Sequence, residues 1–216
     1  VIGIRPTSGS LAEYGVTYRQ VDLLSDGGFD WDGIKNAINE KTKLVTIQRS
    51  KGYQTRKTFS VSEIGELIKF VKSIKPDLIC MVDNCYGEFI DKIEPTEVGV
   101  NLLAGSMIKN IGGGIAPTGG YVVGERKYVQ MVANRLTSPS IGSEVGSYFN
   151  GYQYFYQGLF LAPHVVSQAI KASLLFSAVF SKLGYKVLPA PNEIGSDIIT
   201  SIEFNEADEL IKFCQA

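Results

Sequence analysis

Two polar residues stand where apolar strands are expected to end. Asp83 closes the apolar run 78–82, and Lys109 follows the apolar run 102–105 after the three residues 106–108. In an open parallel sheet, ligands bind beyond the carboxyl ends of the strands. A lysine that is desolvated there has a lowered pKa, and its amine can form a Schiff base with a carbonyl compound. The two residues therefore predict a site for covalent amine chemistry.

Each of these residues also has an ordinary structural explanation. Asp83 could cap the turn that follows it, and Lys109 could extend its amine to solvent from a strand end. The five glycines in the segment 112–120 favour a ligand site, because glycine lets the backbone approach a ligand closely. Cys85 could line the same pocket or be a buried structural thiol.

Asp83, Ser106 and Lys109 together resemble the pattern of the fold type I pyridoxal-phosphate enzymes. The resemblance implies that the Asp83 carboxylate keeps the pyridine nitrogen of the cofactor protonated. It also implies that Lys109 holds the cofactor as a Schiff base and that the Ser106 hydroxyl contacts its phosphate. Tyr86 matches the tyrosine that contacts the phenolic oxygen of the cofactor in aspartate-aminotransferase-like members. Asp83 and Asn84 also resemble the Asp-Asn pair of the trans-sulfuration enzymes.

Longer strings narrow the resemblance to one family. The segments 82–89, 106–121, 133–139 and 156–164 are similar to the methionine gamma-lyase-like family, also called aluminium resistance proteins. The similarity implies a cytoplasmic carbon–sulfur lyase of cysteine and methionine metabolism that depends on pyridoxal 5'-phosphate. Such an enzyme acts on a sulfur-containing amino acid, as methionine gamma-lyase or cystathionine beta-lyase does. It releases a thiol, ammonia and a keto acid, and it works as a homodimer or homotetramer.

Two alternative functions belong to other classes. The first is a different pyridoxal-phosphate reaction, such as transamination. The second is a non-catalytic binding protein that keeps the fold. The sequence does not decide between beta and gamma elimination.

The composition favours a folded protein and disfavours nucleic acid as a partner. With 21 Lys+Arg and 22 Asp+Glu, the formal net charge is −1, which gives no electrostatic footprint for nucleic acid. The hydrophobic share of 44% is unlike that of a disordered chain. Cys80, Cys85 and Cys214 have spacings that fit no zinc site, so we expect reduced thiols, a cytoplasmic setting and no metal.

The most apolar segment, 158–180, is interrupted by Pro163, His164 and Lys171. A membrane span rarely tolerates these residues, so we expect a pair of buried helices separated by Pro163 and no membrane insertion. Because His164 is the only histidine, a Ser-His-Asp triad is disfavoured. The aromatic residues in and before this segment predict part of a core or of a subunit interface. They are Tyr148, Phe149, Tyr152, Tyr154, Phe155, Tyr156 and Phe160.

Alternating apolar and amphipathic stretches predict the elements that position these residues. Strands are expected at 18–23, 43–47, 77–83, 101–107 and 120–124, and helices at 30–40, 60–74 and 125–136. Asp30 can cap the first of these helices, and Ser60 with Glu63 has the spacing of a capping box at the second. The order predicts an α/β fold with a mostly parallel sheet flanked by helices. The resemblance implies the large domain of a fold type I transferase-like protein.

The C-terminal part predicts the start of a smaller α+β domain. Gly184 ends the long helical stretch, strand-like segments follow at 185–188 and 197–204, and a helix begins at Glu206. We expect residues 1–160 to form the cofactor-binding large domain. Residues 161–216 then form a connecting helix and the start of the small domain.

Both predicted domains are expected to be truncated. The chain begins inside the apolar run 1–4 and ends within a helical pattern. The resemblance implies that the phosphate-binding turn lies upstream and the arginine for the substrate carboxylate lies downstream. Arg49, Arg56 and Arg135 could substitute for that arginine, but a surface or phosphate-side position is the favoured interpretation of each, and none is assigned to the substrate.

Overall fold

The computed structural model describes residues 7–216, so the apolar run 1–4 lies outside the described residues. The strands are β1 (Leu44–Gln48), β2 (Ile79–Asp83), β3 (Leu102–Ser106), β4 (Gly120–Gly124), β5 (Lys186–Leu188) and β6 (Ser201–Glu203). The helices are α1 (Trp31–Ala37), α2 (Val61–Ile74), α3 (Arg126–Leu136), α4 (Gln153–Lys182) and α5 (Ala207–Gln215). Short 3-10 turns lie at Leu11–Tyr14, Pro95–Val98, Asn110–Gly112 and Gly142–Glu144.

The main sheet has four strands in the order β1-β2-β3-β4. Strands β1, β2 and β3 are parallel, and β4 pairs antiparallel with β3. The register places Asp83 beside Gln48 on one side and beside Ala104 on the other. The carboxyl ends of the three parallel strands therefore meet at one edge, and the segment 107–119 leaves β3 there before returning as β4. This segment carries Lys109, so the topology confirms the predicted mostly parallel sheet and delivers Lys109 to the edge where Asp83 lies.

Helix α2 covers one face of the sheet. The Ser60 side chain accepts a hydrogen bond from the Glu63 N–H, and the Glu63 carboxylate accepts one from the Ser60 N–H, so the predicted capping box is present. The apolar stripe of α2 packs with side chains of the strands in one core cluster, which anchors the sheet edge. Its buried members are Ile47, Phe59, Ile64, Leu67, Ile68, Val71, Leu78, Cys80, Val82, Val100 and Leu103.

The segment 18–23 does not form the strand that the sequence predicts. Its alternating polar and apolar residues are typical of a strand, but its backbone does not join the hydrogen-bond ladder of the sheet. Its apolar side chains pack beside the sheet instead. Leu23 packs against the core cluster, and Val21 lies close to Gly33 of α1. The Arg19 guanidinium meanwhile donates to the Thr42 hydroxyl at 3.0 Å, so a polar side-chain contact helps to hold the segment.

Helix α4 is one continuous helix, so the prediction of two helices separated at Pro163 is wrong. A single proline removes one hydrogen bond, and the long apolar stretches on both sides continue the helix past it. The prediction that this segment is buried is also wrong, because only 11% of its most apolar window is buried within this chain. By length and composition, α4 is the one helix within residues 7–216 that is long and apolar enough to cross a membrane.

A two-stranded antiparallel hairpin of β5 and β6 follows α4, and α5 begins directly after Glu206, as predicted. The buried Asp197, between the two strands, accepts hydrogen bonds from the hydroxyls of Ser50, at 2.7 Å, and of Thr58. The Lys51 amine donates to the Leu188 carbonyl at 2.8 Å. These contacts tie the C-terminal part to the loop that follows β1. The division into domains at residue 160 stays a prediction.

Candidate active site

Asp83 is the last residue of β2 and is exposed at the sheet edge. Its backbone carbonyl accepts a hydrogen bond from the Arg49 N–H at 3.1 Å. One carboxylate oxygen accepts the Cys85 N–H at 3.1 Å, which shapes the turn after the strand. The side chain thus organises the turn and still presents a carboxylate at the edge where ligands bind in this class of sheet.

Lys109 lies three residues beyond the end of β3 and is half-buried. Its backbone N–H donates to the Ser106 carbonyl at 3.3 Å, so the two residues share one turn. Its amine nitrogen lies 4.3 Å from the centre of the Tyr86 ring, within the range of a cation–π contact. The structure therefore brings Lys109 to Tyr86, from the turn after β2, and places Ser106 beside Lys109.

Cys85 connects the two charged groups of the site. Its thiol lies close enough to Asp83 and to the Lys109 amine for both to affect its pKa. Burial, together with the hydrogen bond and negative charge of Asp83, raises the pKa of the Cys85 thiol to about 11. The thiol is therefore part of the site, which favours the first of the two roles that the sequence left open.

The lowered pKa expected for Lys109 is wrong. Burial lowers the pKa of this amine, but the contacts with Cys85 and Tyr86 outweigh burial and raise it above its usual value. The physical reason is that the amine is only half-buried and faces groups that favour its protonated form. Partial desolvation of a lysine therefore does not by itself make its amine nucleophilic.

Two of the five glycines after Lys109 serve packing, and the expectation that this segment lets the backbone approach a ligand stays a prediction. A Cβ atom on Gly112 would lie 1.6 Å from the Met107 carbonyl oxygen, and one on Gly113 would lie 2.3 Å from the Gly158 carbonyl oxygen of α4. At Gly114, by contrast, a Cβ atom would have no neighbour within 4 Å. The turn that follows Lys109 is thus held directly against helix α4.

Arg49 is a buried residue beneath the turn after β2, so the interpretation that it lies on the surface is wrong, while the phosphate-side alternative stays a prediction. It is 0% exposed and directly follows β1. Its guanidinium donates to the Asn84 side-chain oxygen at 2.8 Å, to the Asp91 carboxylate at 2.5 Å and to the Phe59 carbonyl at 3.3 Å. All three guanidinium nitrogens are engaged inside the protein. A fully buried arginine gives no signal in the sequence, because no motif marks it.

The other two arginines and the histidine are not gathered at the site. The half-buried Arg56 guanidinium donates to the Gln48 carbonyl at 3.0 Å and to the Ser50 carbonyl at 2.7 Å, so it holds the loop after β1. Arg135 is exposed on α3, and His164 is exposed on α4. Within residues 7–216, no group of three or more His, Cys, Asp or Glu side chains is placed to hold a metal ion.

A hydrogen-bonded pair that the sequence does not reveal, Glu88 and Tyr121 of β4, supports the turn that carries Lys109. The Tyr121 hydroxyl donates to the Glu88 carboxylate at 2.7 Å, and the Asn110 side chain donates to the Glu88 backbone carbonyl at 3.2 Å. Burial raises the pKa of Glu88, which is 2% exposed. The pair links the turn after β2 to the residue that follows Lys109, so both turns are fixed relative to one another.

The predicted aromatic cluster lies beside this edge but is not a core within this chain. Phe149 is 97% exposed and Phe160 is 84% exposed. Other members line an open cleft of about 440 Å³ that begins at Met107, two residues before Lys109. Its apolar wall is formed by Met107, Tyr148, Tyr152, Phe155, Tyr156 and Leu159. The cluster's role in a subunit interface stays a prediction.

The donor set at the edge fits the cofactor that the resemblance implies. It offers a carboxylate at the end of β2, a primary amine after β3 and an aromatic hydroxyl next to that amine. A carboxylate can hold a proton on a pyridine nitrogen, and a primary amine can bond covalently to an aldehyde. The arrangement can therefore bind a carbonyl compound and move a proton at its reacting carbon.

The fold defines the class of protein: an α/β chain with the fold of the fold type I pyridoxal-phosphate enzymes, as predicted. The cystathionine gamma-lyase of Lactobacillus plantarum superposes with a TM-score of 0.63 at 20% identity. The superposition covers 92% of this chain and 52% of that one, and at this identity it shows the fold alone. The family can be named more closely, because the chain belongs to the methionine gamma-lyase family, whose sequence profile matches residues 1–216.

Relatives within the family are much more similar. The uncharacterized protein YnbB of Bacillus subtilis (strain 168) is 48% identical over 218 residues, which cover 100% of this chain and 52% of that protein. The carbon-sulfur lyase involved in aluminum resistance from Clostridium novyi NT is 49% identical with a TM-score of 0.94, over 99% of this chain and 51% of that one. A Clostridium acetobutylicum protein, proposed to be a cystathionine beta-lyase involved in aluminum resistance, is 45% identical with a TM-score of 0.93. That match covers 98% of this chain and 51% of the other. The chain thus spans about half the length of these relatives.

Proposed function

We propose that the protein is a pyridoxal-phosphate-dependent carbon–sulfur lyase. Its substrate would be a sulfur-containing amino acid, and its products a thiol, ammonia and a keto acid. The observation that carries the proposal is the position of the Lys109 amine over the Tyr86 ring, at the same carboxyl edge of the sheet where Asp83 ends β2. Membership of the methionine gamma-lyase family supports it, as does the similarity to a carbon-sulfur lyase.

Each residue of the site has a distinct task in this proposal. When bound, pyridoxal phosphate supplies an electron sink for the negative charge that develops on the substrate carbon. Lys109 would hold the cofactor through its amine and would serve as the base for the α-proton of the substrate. Asp83 would hold a proton on the ring nitrogen. Ser106 would bind the phosphate, and the Tyr86 hydroxyl would orient the phenolic oxygen.

The protonation of Lys109 sets the pH dependence of cofactor attachment. A lysine amine is ordinarily protonated at neutral pH and must lose this proton before it attacks an aldehyde, and the raised pKa of Lys109 moves that loss to higher pH. Attachment therefore becomes faster as the pH rises toward the pKa of Lys109. The turn after β3 keeps the amine at the edge while this proton is lost.

The proposal is tested by locating the cofactor attachment. The full-length protein, purified with pyridoxal phosphate, is reduced with borohydride, and the adduct is mapped by peptide mass. We expect the yellow absorbance to disappear and the added mass to lie on Lys109. Lys109→Ala should give a folded but colourless and inactive protein, because no amine remains at the site. Lys127→Ala is the matched control, since Lys127 also lies over a tyrosine ring, at 5.4 Å from its centre, but on α3.

Asp83→Asn separates cofactor binding from catalysis. The amide keeps the shape of the side chain but cannot hold the ring proton, so cofactor should still bind while turnover falls by roughly 100-fold or more. Release of ammonia and a thiol from sulfur amino acids would support a lyase, whereas transamination releases neither. Bound cofactor without any spectral response to substrate would favour a non-catalytic binding protein. An adduct on another lysine would contradict the proposed site.

We further propose a cytoplasmic homodimer or homotetramer. The three cysteines form no disulfide, which suits a reducing compartment. The exposed apolar side chains of α4 and the aromatic cluster before it suit contact with another protein surface.

A further inference from the structure

The turn that carries Tyr86 has an unusual backbone. Tyr86 has φ +68° and Phe89 has φ +62°, in the left-handed region that side chains other than glycine rarely adopt. Such conformations persist only where the surrounding structure fixes them. The turn does not follow from local preference, so contacts with other parts of the protein must hold it.

Arg49 makes these contacts from below the turn. Its guanidinium binds Asn84 and Asp91, at the two ends of the turn, while its Nε–H donates to the Phe59 carbonyl and anchors it beside β1. Glu94 accepts the Asn84 amide at 2.9 Å and lies 3.7 Å from the guanidinium, which completes the network. The turn is thus held at both ends by one rigid, planar group.

The middle of the turn also rests on Arg49. Gly87 directly follows Tyr86, and a Cβ atom at Gly87 would lie 2.6 Å from atoms of the Arg49 side chain. Any other residue here would push against the guanidinium or move the backbone of its neighbour. The position of the Tyr86 ring above Lys109 therefore depends on a close fit between the backbone and Arg49.

We propose that Arg49 is a positioning residue whose buried guanidinium shapes the turn 84–91 so that the Tyr86 ring lies over the Lys109 amine. The part that Tyr86 plays toward a cofactor rests on the proposed function. The contact between Tyr86 and Lys109 is a property of the chain itself. A lysine at position 49 would keep the charge, but it could not bind Asn84, Asp91 and Phe59 at once, because it lacks the planar fork.

The experiment measures Lys109 in the cofactor-free protein. Trace acetylation is carried out over a pH series, and labelling of the Lys109 peptide is quantified by mass, with the Lys127 peptide as internal standard. The groups that face the Lys109 amine are Tyr86 and Cys85, with Asp83 behind the thiol. Loss of the ring contact removes an interaction that favours the protonated amine. In a variant that loses this contact, the pH midpoint of Lys109 acetylation should therefore move to lower pH by roughly half a unit.

Four variants separate positioning from stability. Tyr86→Leu removes the ring and defines the full shift. Arg49→Lys should give a shift of the same direction and similar size, and combining the two should add nothing further. Asp91→Asn loosens one end of the turn, should shift the midpoint part of the way, and serves if Arg49→Lys fails to fold. Val71→Ala, in the core of α2, lowers thermal stability but should leave the midpoint unchanged.

The outcomes are distinct. The proposal is overturned if the labelling midpoint of Lys109 stays at the wild-type value in Arg49→Lys and Asp91→Asn. It is also overturned if Val71→Ala shifts the midpoint by the same amount, because Arg49 would then have only a stabilising role. If the shift is observed but borohydride fixes no cofactor on Lys109, the proposed function fails while the positioning role of Arg49 stands.

Discussion

Cys85 lies between two side chains that act on it in opposite directions. The Asp83 carboxylate accepts its hydrogen bond and disfavours the thiolate, whereas the Lys109 amine favours the thiolate. Burial is the largest cause of the raised pKa of the thiol, Asp83 adds to it, and the pKa rises to about 11. Because only the thiolate is nucleophilic, Cys85 is expected to be unreactive at neutral pH even though it borders the open edge of the sheet.

Alkylation of the cofactor-free protein at pH 8 tests this balance. In the wild type, iodoacetamide should label the exposed Cys214 and leave Cys85 nearly untouched. Asp83→Asn removes the negative charge and lowers the pKa of the thiol, so labelling of Cys85 should become roughly tenfold faster. Lys109→Met should have the opposite effect and slow the labelling of Cys85 below the wild-type rate. The buried Cys80 is the internal control, and its labelling should not change.

This prediction fails if Cys85 and Cys214 of the wild type react at similar rates, or if Asp83→Asn slows the reaction. Either result would mean that the carboxylate does not control the thiol. The rates are measured by peptide mass at a fixed reagent concentration.

At this scale the sequence predicts residue types better than their environments. Asp83 and Lys109 can be found because each comes after an apolar run, and Tyr86 because it matches the family pattern three residues after Asp83. The raised pKa of Lys109 could not be predicted, since it depends on which groups the fold brings to the amine. The burial of Arg49 could not be predicted for the same reason, because it depends on partners that lie 10 to 42 residues away in the chain.

At the scale of elements, the turn after β3 and the helix α4 are joined by glycines on both sides. A Cβ atom on Gly158 would lie 2.2 Å from the Gly112 carbonyl oxygen, and one on Gly113 would lie 2.3 Å from the Gly158 carbonyl oxygen. This close packing fixes the turn that begins at Lys109. Helix α4 thus supports the candidate site although its side chains remain largely exposed in this chain.

Gly113→Ala tests this packing, with Gly114→Ala as a matched control. Both glycines have positive φ, at +57° and +76°, so alanine costs about 1–2 kcal/mol of left-handed strain at either position. Only at Gly113 does the new methyl group meet backbone, which should cost a further ~2 kcal/mol. Urea denaturation should therefore show Gly113→Ala to be the less stable variant. Equal free energies of unfolding would contradict the packing role.

Local signals account well for most elements. The capping box of α2 and the continuous apolar run of β2 each specify their element with little tertiary help. The segment 18–23 has a strand-like pattern but no place in the sheet, and pairing depends on neighbours that the pattern does not reveal. The prediction of a helix break at Pro163 rests on proline alone, whereas the 30-residue helix α4 continues through it.

At the scale of the whole molecule, the chain spans about half the length of its family relatives and leaves a large apolar surface uncovered. Large side chains on successive turns of α4 are exposed, among them Tyr156 at 70% and Phe160 at 84%. Soluble proteins rarely expose contiguous apolar patches of this kind unless another surface covers them. A second surface that covers this patch would lie beside the candidate site, because the adjacent cleft begins at Met107.

The proposed oligomer predicts that the full-length protein sediments as a dimer or tetramer and that Phe160→Asp shifts it toward smaller species. Burying an unpaired carboxylate in the contact should weaken association by ~2 kcal/mol or more, roughly 30-fold in Kd. Leu136→Asp is the control, because Leu136 is 77% exposed but lies at the end of α3. Circular dichroism should show both variants folded. A wild-type protein that stays monomeric at every concentration, or a Phe160→Asp variant that associates as tightly as wild type, would exclude this face of α4 as the contact between copies.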